Sequence, residues 1–290
     1  MMNPHKDTLI RRAYAKINLG LDVTGRLENG YHLVRMIMQT VGIYDVLTFT
    51  AARSGIRISV EGGELPTGED NLIYRAARLL MEAGGVKEGV DIHLEKHIPI
   101  AAGMAGGSSD AAAALLGLNE LFALGLSREQ LRQLGVRIGA DVPYCIMGGT
   151  ALAEGIGELL TPLTPAPPCG LLVAKPDIQV STKYVYEQLD AREIGHHPDI
   201  DGMRSAIENG DLTGIADRLG NVLETVTMEA CPVIGRIKRE MMANGAMGSL
   251  MSGSGPTVFG IYGSQEQACA AGDCLRETGL ASALFVTEFV

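Results

Sequence analysis

Apolar and polar residues alternate one for one through Ala13-Tyr14-Ala15-Lys16-Ile17-Asn18-Leu19, which predicts a β-strand with Lys16 and Asn18 on one face. Asn29-Gly30 is a turn dipeptide, and Tyr31-His32 follow it directly. Residues 41–50 and 56–60 read as further strands. Helical spacing takes over at Leu72, where Leu72, Ile73, Ala76, Leu79 and Leu80 share a stripe. Asp70 stands where a cap is needed, and Gly84-Gly85 ends the pattern. Residues 90–95 alternate strictly and predict a strand.

All periodicity then breaks in Pro99-Ile100-Ala101-Ala102-Gly103-Met104-Ala105-Gly106-Gly107-Ser108-Ser109-Asp110. An Ala/Leu-rich run to Leu124 follows and predicts a helix opened by Ser108, Ser109 and Asp110. Ser127 and Gln130 have the spacing of a capping box for another short helix. Gly139-Ala140-Asp141-Val142-Pro143 interrupts the pattern, and residues 144–153 read as strand. Four prolines, Pro162, Pro165, Pro167 and Pro168, then mark a linker. Beyond them strands at 171–174, 257–262 and 283–289 alternate with helices around 211–219, from Pro232 to Asn244-Gly245, and after Ser264 and Gln267. The pattern predicts two α+β domains, residues 1–160 and 161–290.

Composition fits this picture. The chain has 290 residues, enough for about two domains, and 46% are hydrophobic. The formal net charge is −10 and aromatics make up 4%, which argues against a nucleic-acid surface. Five cysteines, none spaced Cys-x-x-Cys, fit neither a disulfide framework nor a zinc ribbon and point to reduced thiols. Residues 1–18 show no secretory signal, and no apolar run approaches a membrane span.

In an acidic protein, an anion must be held by a few well-placed groups. The 99–110 loop offers glycines that let the backbone approach a ligand, followed by a helix N-terminus with orphan N–H donors. It is not Walker A, since the chain contains no Gly-Lys dipeptide, nor the Gly-x-Gly-x-x-Gly fingerprint. The plainer reading is a turn packing a small-residue helix. Asp141, at a break stiffened by Pro143, suits a general base, although turn aspartates are common. Lys16 inside a strand wants a carboxylate partner unless it faces solvent. Ser252-Gly253-Ser254-Gly255-Pro256 is either a second close-approach loop or a hairpin tip. His93 and His97 have the i, i+4 spacing of a helical metal site, but on a strand they stand roughly 13 Å apart.

Together these blocks resemble the GHMP kinases, the superfamily of galactokinase, homoserine kinase, mevalonate kinase and phosphomevalonate kinase. Ala15-Lys16-Ile17-Asn18-Leu19 is similar to the superfamily's first motif, the stretch from Pro99 to Ala113 to its second, and Ser252 to Phe259 to its third. Gly30-Tyr31-His32, Asp70-Asn71-Leu72-Ile73, Gly106-Gly107-Ser108-Ser109-Asp110-Ala111-Ala112 and Gly139-Ala140-Asp141-Val142-Pro143 resemble one branch. That branch phosphorylates the C2 hydroxyl of 4-diphosphocytidyl-2-C-methyl-D-erythritol in the methylerythritol phosphate route to isoprenoid precursors.

The resemblance implies a ribosomal-protein-S5-like first domain, a ferredoxin-like second domain, and ATP with Mg²⁺ in the cleft between them. It implies Asp141 as general base and Lys16 as the orienting, charge-stabilising partner. Pro99, Ile100, Ala101, Ala102, Gly103, Met104, Ala105, Gly106, Gly107, Ser108 and Ser109 would form the ATP loop, with Ser108 or Ser109 toward the metal. Asn18, Tyr31 and His32 would contact the substrate, and an aromatic from the second domain, Tyr186 in preference to Tyr184, would close on cytosine. Many members have glycine where Ala101, Ala102 and Ala105 stand. The expectation is that those alanines avoid positive φ and leave it to Gly103, Gly106 and Gly107.

Three rivals are a GHMP kinase with another alcohol substrate, a sugar sensor that lost catalysis, and an RNA-associated protein. Tyr31-His32, the intact Lys16 and Asp141, and the −10 charge argue against them in turn. A cytoplasmic enzyme of small molecules is the resulting expectation.

Overall fold

The alternation at residues 13–19 lies inside a much longer strand. β1 runs Thr8–Arg26 and β2 His32–Ala52. Residues 15–23 are buried without a break, so both faces of β1 are covered, including the polar positions Lys16, Asn18 and Asp22. The computed structural model describes residues 8–190 and 194–290. These form two units interleaved in sequence. The first takes the chain up to Ala15, Ile43–Ile100 and Ala105–Gly148; the second takes Lys16–Gly42, Ala101–Met104 and Gly149–Val290.

The first unit holds β3 (Ile56–Glu61), α1 (Leu72–Gly84), β4 (Gly89–Glu95), α2 (Gly106–Leu121), α3 (Arg128–Val136) and α4 (Val142–Met147). β3 lies parallel to β4, with Ile58 opposite Ile92, and β4 lies antiparallel to the far half of β2, with Phe49 opposite Ile92. The core joins Leu47, Phe49, Ile73, Leu80, Ile92, Leu115 and Leu118. Each such side chain contributes about 1.5–3 kcal/mol by leaving water. Small residues on α2 set its distance from the sheet: a Cβ on Gly117 would lie 2.6 Å from the Phe49 ring.

Local chemistry decides the helix ends. Asn71, not Asp70, caps α1, its Oδ1 accepting from the Ile73 N–H at 2.8 Å. Either residue type can cap, and the chain's register selects the second. Gly85 closes the helix in the left-handed conformation. Ser127 and Gln130 form the expected capping box on α3. The strand expected from residue 144 is instead α4, with Pro143 in its first turn, followed after Gly148 and Gly149 by β5 (Thr150–Glu154). Proline fits a first helical turn, and burial of Val142, Tyr144 and Ile146 outweighs their strand preference. His93 lies on β4, with its Nδ1 2.9 Å from the Ser59 hydroxyl.

In the second unit β6 (Leu159–Pro162) pairs with β5, so the proline-rich stretch begins inside a strand; β5 also pairs with β2, Met36 opposite Ala153. Then come β7 (Gly170–Lys175), α5 (Thr182–Leu189), α6 (Ile200–Glu208), α7 (Leu212–Asp217), β8 (Gly220–Asn221), α8 (Glu224–Ala230), α9 (Val233–Ala243), β9 (Gly248–Met251), β10 (Val258–Tyr262), α10 (Gln265–Glu277) and β11 (Ala283–Thr287). A four-stranded antiparallel sheet has the order β11-β7-β10-β9. β8 runs parallel to β1, Gly20 opposite Gly220. Phe289 pairs with Val41, and the Val290 N–H donates to the Thr40 carbonyl at 3.0 Å. Among the described residues no helix is long and apolar enough to cross a membrane.

Candidate active site

In the second unit three separated stretches converge. Lys16 is 5% exposed, and its ammonium donates to Asn18 Oδ1 at 2.8 Å. The Lys16 N–H donates to the Met104 carbonyl at 3.1 Å, which ties β1 to the middle of the 99–110 loop. The Ser252 hydroxyl donates to the Gly103 carbonyl at 3.0 Å. Gly103 has φ of 71°, and a Cβ there would stand 2.4 Å from the Ser252 carbonyl oxygen, so only glycine fits. A Cβ on Gly253 would lie 3.2 Å from the Gly103 oxygen and 3.7 Å from Asn18 Oδ1. Segment Ala101–Met104, the 252–256 turn and the Lys16–Asn18 pair thus form one cluster.

Residues the sequence did not single out support it. Asn221 Nδ2 donates to the carbonyls of Met251 and Gly253 at 2.9 and 2.8 Å. The Thr182 and Ser254 hydroxyls meet at 2.8 Å, which fastens the start of α5 to the same turn. Neither contact leaves a periodic trace in the sequence.

The first unit holds the rest of the loop. α2 begins at Gly106, two residues earlier than expected, so its first-turn N–H groups belong to Gly106, Gly107 and Ser108. Ala101 and Ala105 adopt φ of 53° and 54°, against the expectation that alanines there would avoid positive values. Gly106 and Gly107 are helical and do not carry that geometry; of the three glycines only Gly103 does. Left-handed alanine costs about 1–2 kcal/mol, a strain that the surrounding contacts hold in place. Ser109 is buried, and its hydroxyl donates to the Tyr14 carbonyl at 2.6 Å. Ser108 Oγ would lie 3.8 Å from a Cβ on Gly139, so the helix start approaches the turn that carries Asp141. Asp141 occupies the N-cap position of α4.

Behind the helix start lies a buried charge cluster that pattern reading missed. The Lys96 ammonium contacts the carboxylates of Asp45 and Asp110, the latter at 2.9 Å, and all three side chains are at most 4% exposed. Asp45 also accepts from the N–H groups of His97 and Ile98 at 2.6 and 2.7 Å. Asp110 Oδ1 is buried with no hydrogen-bond partner among the described residues. Burial pushes the Asp110 carboxyl up to about 8; Lys96 opposes that shift and Asp45 adds to it.

A carboxyl raised in the folded state binds its proton more tightly there than in the unfolded chain. Its stabilising effect is therefore full below its ordinary value near 4 and is lost as pH rises through about 8. Asp110→Asn is accordingly expected to gain stability relative to the parent as pH rises from 5 to 8.5. Urea midpoints across that range give the answer, and parallel curves for the two proteins would remove the effect.

Of the residues expected to contact the substrate, His32 and Tyr186 meet in the second unit. His32 Nε2 is 2.6 Å from Asp190 Oδ1, and Arg26 reaches Asp190 Oδ2 at 3.0 Å. The His32 and Tyr186 rings stack with centroids 4.6 Å apart and planes 29° apart. Tyr31 is 59% exposed and Tyr184 47%.

This arrangement, a glycine loop feeding a long helix with a second glycine turn folded against it, is that of a phosphate-handling α+β enzyme of the GHMP kinase class. Residues 71–149 match the family described as GHMP kinases N terminal domain and residues 203–280 that described as GHMP kinases C terminal. The chain is 54% identical over 278 residues to 4-diphosphocytidyl-2-C-methyl-D-erythritol kinase of Lachnospira eligens, covering 96% of each chain. It is 52% identical to the same enzyme of Caldicellulosiruptor bescii, covering 91% of this chain and 93% of that one. A crystal structure of 4-(cytidine 5'-diphospho)-2C-methyl-D-erythritol kinase superposes with a TM-score of 0.83 at 35% identity, over 97% of this chain and 99% of that one. A homoserine kinase from Cytophaga hutchinsonii shares the fold alone, with a TM-score of 0.78 at 20% identity over 100% and 96% of the two chains. The chain belongs to the 4-diphosphocytidyl-2-C-methyl-D-erythritol kinase family, with the two-domain α+β fold of the GHMP kinases.

Proposed function

We propose that the protein transfers the γ-phosphoryl group of ATP to the C2 hydroxyl of 4-diphosphocytidyl-2-C-methyl-D-erythritol, a step of the methylerythritol phosphate route. The observation that carries the reading is the cluster of Lys16, Asn18, segment Ala101–Met104 and the Ser252–Gly253 turn, in a chain about half identical to kinases of that name. A cytoplasmic location, a small-molecule substrate rather than nucleic acid, and functional domains meeting near residue 160 belong to the same reading.

Phosphoryl transfer needs positioning and charge stabilisation more than covalent help. The first-turn N–H groups of α2 supply donors and about half a unit of positive charge for phosphate oxygens. The 99–109 loop, with its backbone bared by Gly103, holds the triphosphate. Lys16 neutralises charge that grows on the transferred group. Asp141 accepts the C2 hydroxyl proton as the new P–O bond forms and the bond to the leaving diphosphate breaks. Asn18 orients the alcohol, while Tyr31, His32 and Tyr186 hold the cytosine.

Mg²⁺ sits largely on nucleotide phosphates and asks few oxygens of the protein. Ser108, in the first turn of α2, suits it better than Ser109, whose hydroxyl is committed to the Tyr14 carbonyl. Bound there, the ion would neutralise phosphate charge.

The test is transfer from γ-labelled ATP with Mg²⁺ to 4-diphosphocytidyl-2-C-methyl-D-erythritol, mevalonate and homoserine side by side. Labelling of the first alone is expected. Labelling of either other alcohol at a comparable rate would make it a broader alcohol kinase, and no labelling with ATP still bound would point to a sensor.

A further inference from the structure

The last turn of α5 grips one imidazole from two directions. Tyr186 covers the face of the His32 ring, and Asp190, four residues on at the helix C-cap, takes its edge through Nε2 at 2.6 Å. The Asp190 N–H donates to the Tyr186 carbonyl at 3.1 Å, so both groups ride on one helical turn. The other end of that helix is tied through Thr182 to the glycine turn. Arg26 holds the second carboxylate oxygen at 3.0 Å, which fixes the carboxylate's rotation. The His32 side chain is 11% exposed, so it has little freedom to turn away.

A carboxylate accepts hydrogen bonds and does not donate them. The shared hydrogen therefore sits on Nε2, and in a neutral imidazole Nδ1 is left with its lone pair. A ligand meeting that nitrogen is offered an acceptor. The exocyclic amine of cytosine donates, whereas uracil carries a carbonyl oxygen at the same position. We infer that Asp190 is a positioning residue that fixes the tautomer and orientation of His32, so that Nδ1 accepts from an amino-bearing pyrimidine and selects cytosine over uracil. The inference rests on the cytidine reading above for its ligand, and on the His32–Asp190–Tyr186 geometry for everything else.

Two measurements on the full chain test it. The first needs no substrate: ¹⁵N shifts of labelled histidine rings near pH 8, with His32 assigned by loss of its signal in His32→Gln. The Nε2–H tautomer is expected in the parent, and a mixture of tautomers in Asp190→Ala. An Nδ1–H parent, or an unchanged spectrum in the variant, overturns the inference. The second compares kcat and KM for 4-diphosphocytidyl-2-C-methyl-D-erythritol and its uridine counterpart. Asp190→Ala is expected to raise KM for the cytidine compound about tenfold with kcat within about twofold, and to cut the cytidine preference about tenfold. A merely structural role would not move that preference, and an unchanged preference overturns the inference.

If neither pyrimidine compound is phosphorylated while His32 keeps the Nε2–H form, the cytidine reading fails and base selection fails with it, but the tautomer assignment stands. If Asp190→Ala does not fold, Asp190→Asn and the spectrum of the parent protein carry the same test.

Discussion

Asp141→Asn is expected to lower the rate of phosphoryl transfer about a thousandfold, within the range that positioned acid–base groups contribute. The substitution is nearly isosteric. The backbone role of Asp141, accepting from the Cys145 N–H at 3.0 Å, is unchanged by it. Helical φ and ψ of −81° and −14° suit asparagine equally. The amide removes a negative charge and the proton acceptor while keeping the side chain's shape, so the loss is expected in kcat, with KM for ATP within a few-fold. A rate within tenfold of the parent would remove Asp141 from the base role and leave alignment on the helix terminus as the main source of catalysis. Lys16→Met is the companion. It keeps the buried stem but loses the ammonium bonded to Asn18, and kcat should fall more than KM changes.

The second large effect falls on stability. Lys96→Ala leaves the carboxyls of Asp45 and Asp110 facing one another out of water, without the cation that separates them. Removing one partner of a buried ion pair costs about 3–5 kcal/mol, against a total of about 5–15 kcal/mol for a folded domain. Urea denaturation should show it as a large drop in midpoint. A loss under about 1 kcal/mol would mean that water reaches the cluster in solution. The start of α2 packs against this cluster. A Cβ on Gly106 would lie 3.0 Å from the Lys96 ammonium, so the helix terminus is seated directly on the charge.

What the sequence discloses here follows from the range of the forces involved. Capping is a matter of neighbours, and Ser127, Ser264 and the Gly84-Gly85 stop are where the pattern puts them. Lys16 and Asn18 share a strand face and touch, as the two-residue period requires. Errors arise where distant packing overrides local preference. Tyr144 and Ile146 are strand formers turned into a short helix by burial, and Ala101 and Ala105 are held at positive φ by contacts that φ/ψ preferences do not include. The Asp45–Lys96–Asp110 and His32–Asp190 contacts span up to 158 residues, and no local pattern predicts such a pairing. The two glycine loops that meet in the second unit are nevertheless readable, because a glycine needed for close backbone approach leaves its mark in the sequence itself.

The closure of Thr40 and Gly42 on residues 288–290 bears on how the chain is made. The Gly42 N–H donates to the Glu288 carbonyl and the Gln39 side chain to that of Val290, a partner 251 positions away. During synthesis this stretch of β2 leaves the ribosome long before its partner exists, and it presents unpaired backbone groups for as long as the intervening residues take to appear. The nascent chain therefore carries an open seam along this stretch of β2 until residues 288–290 have emerged.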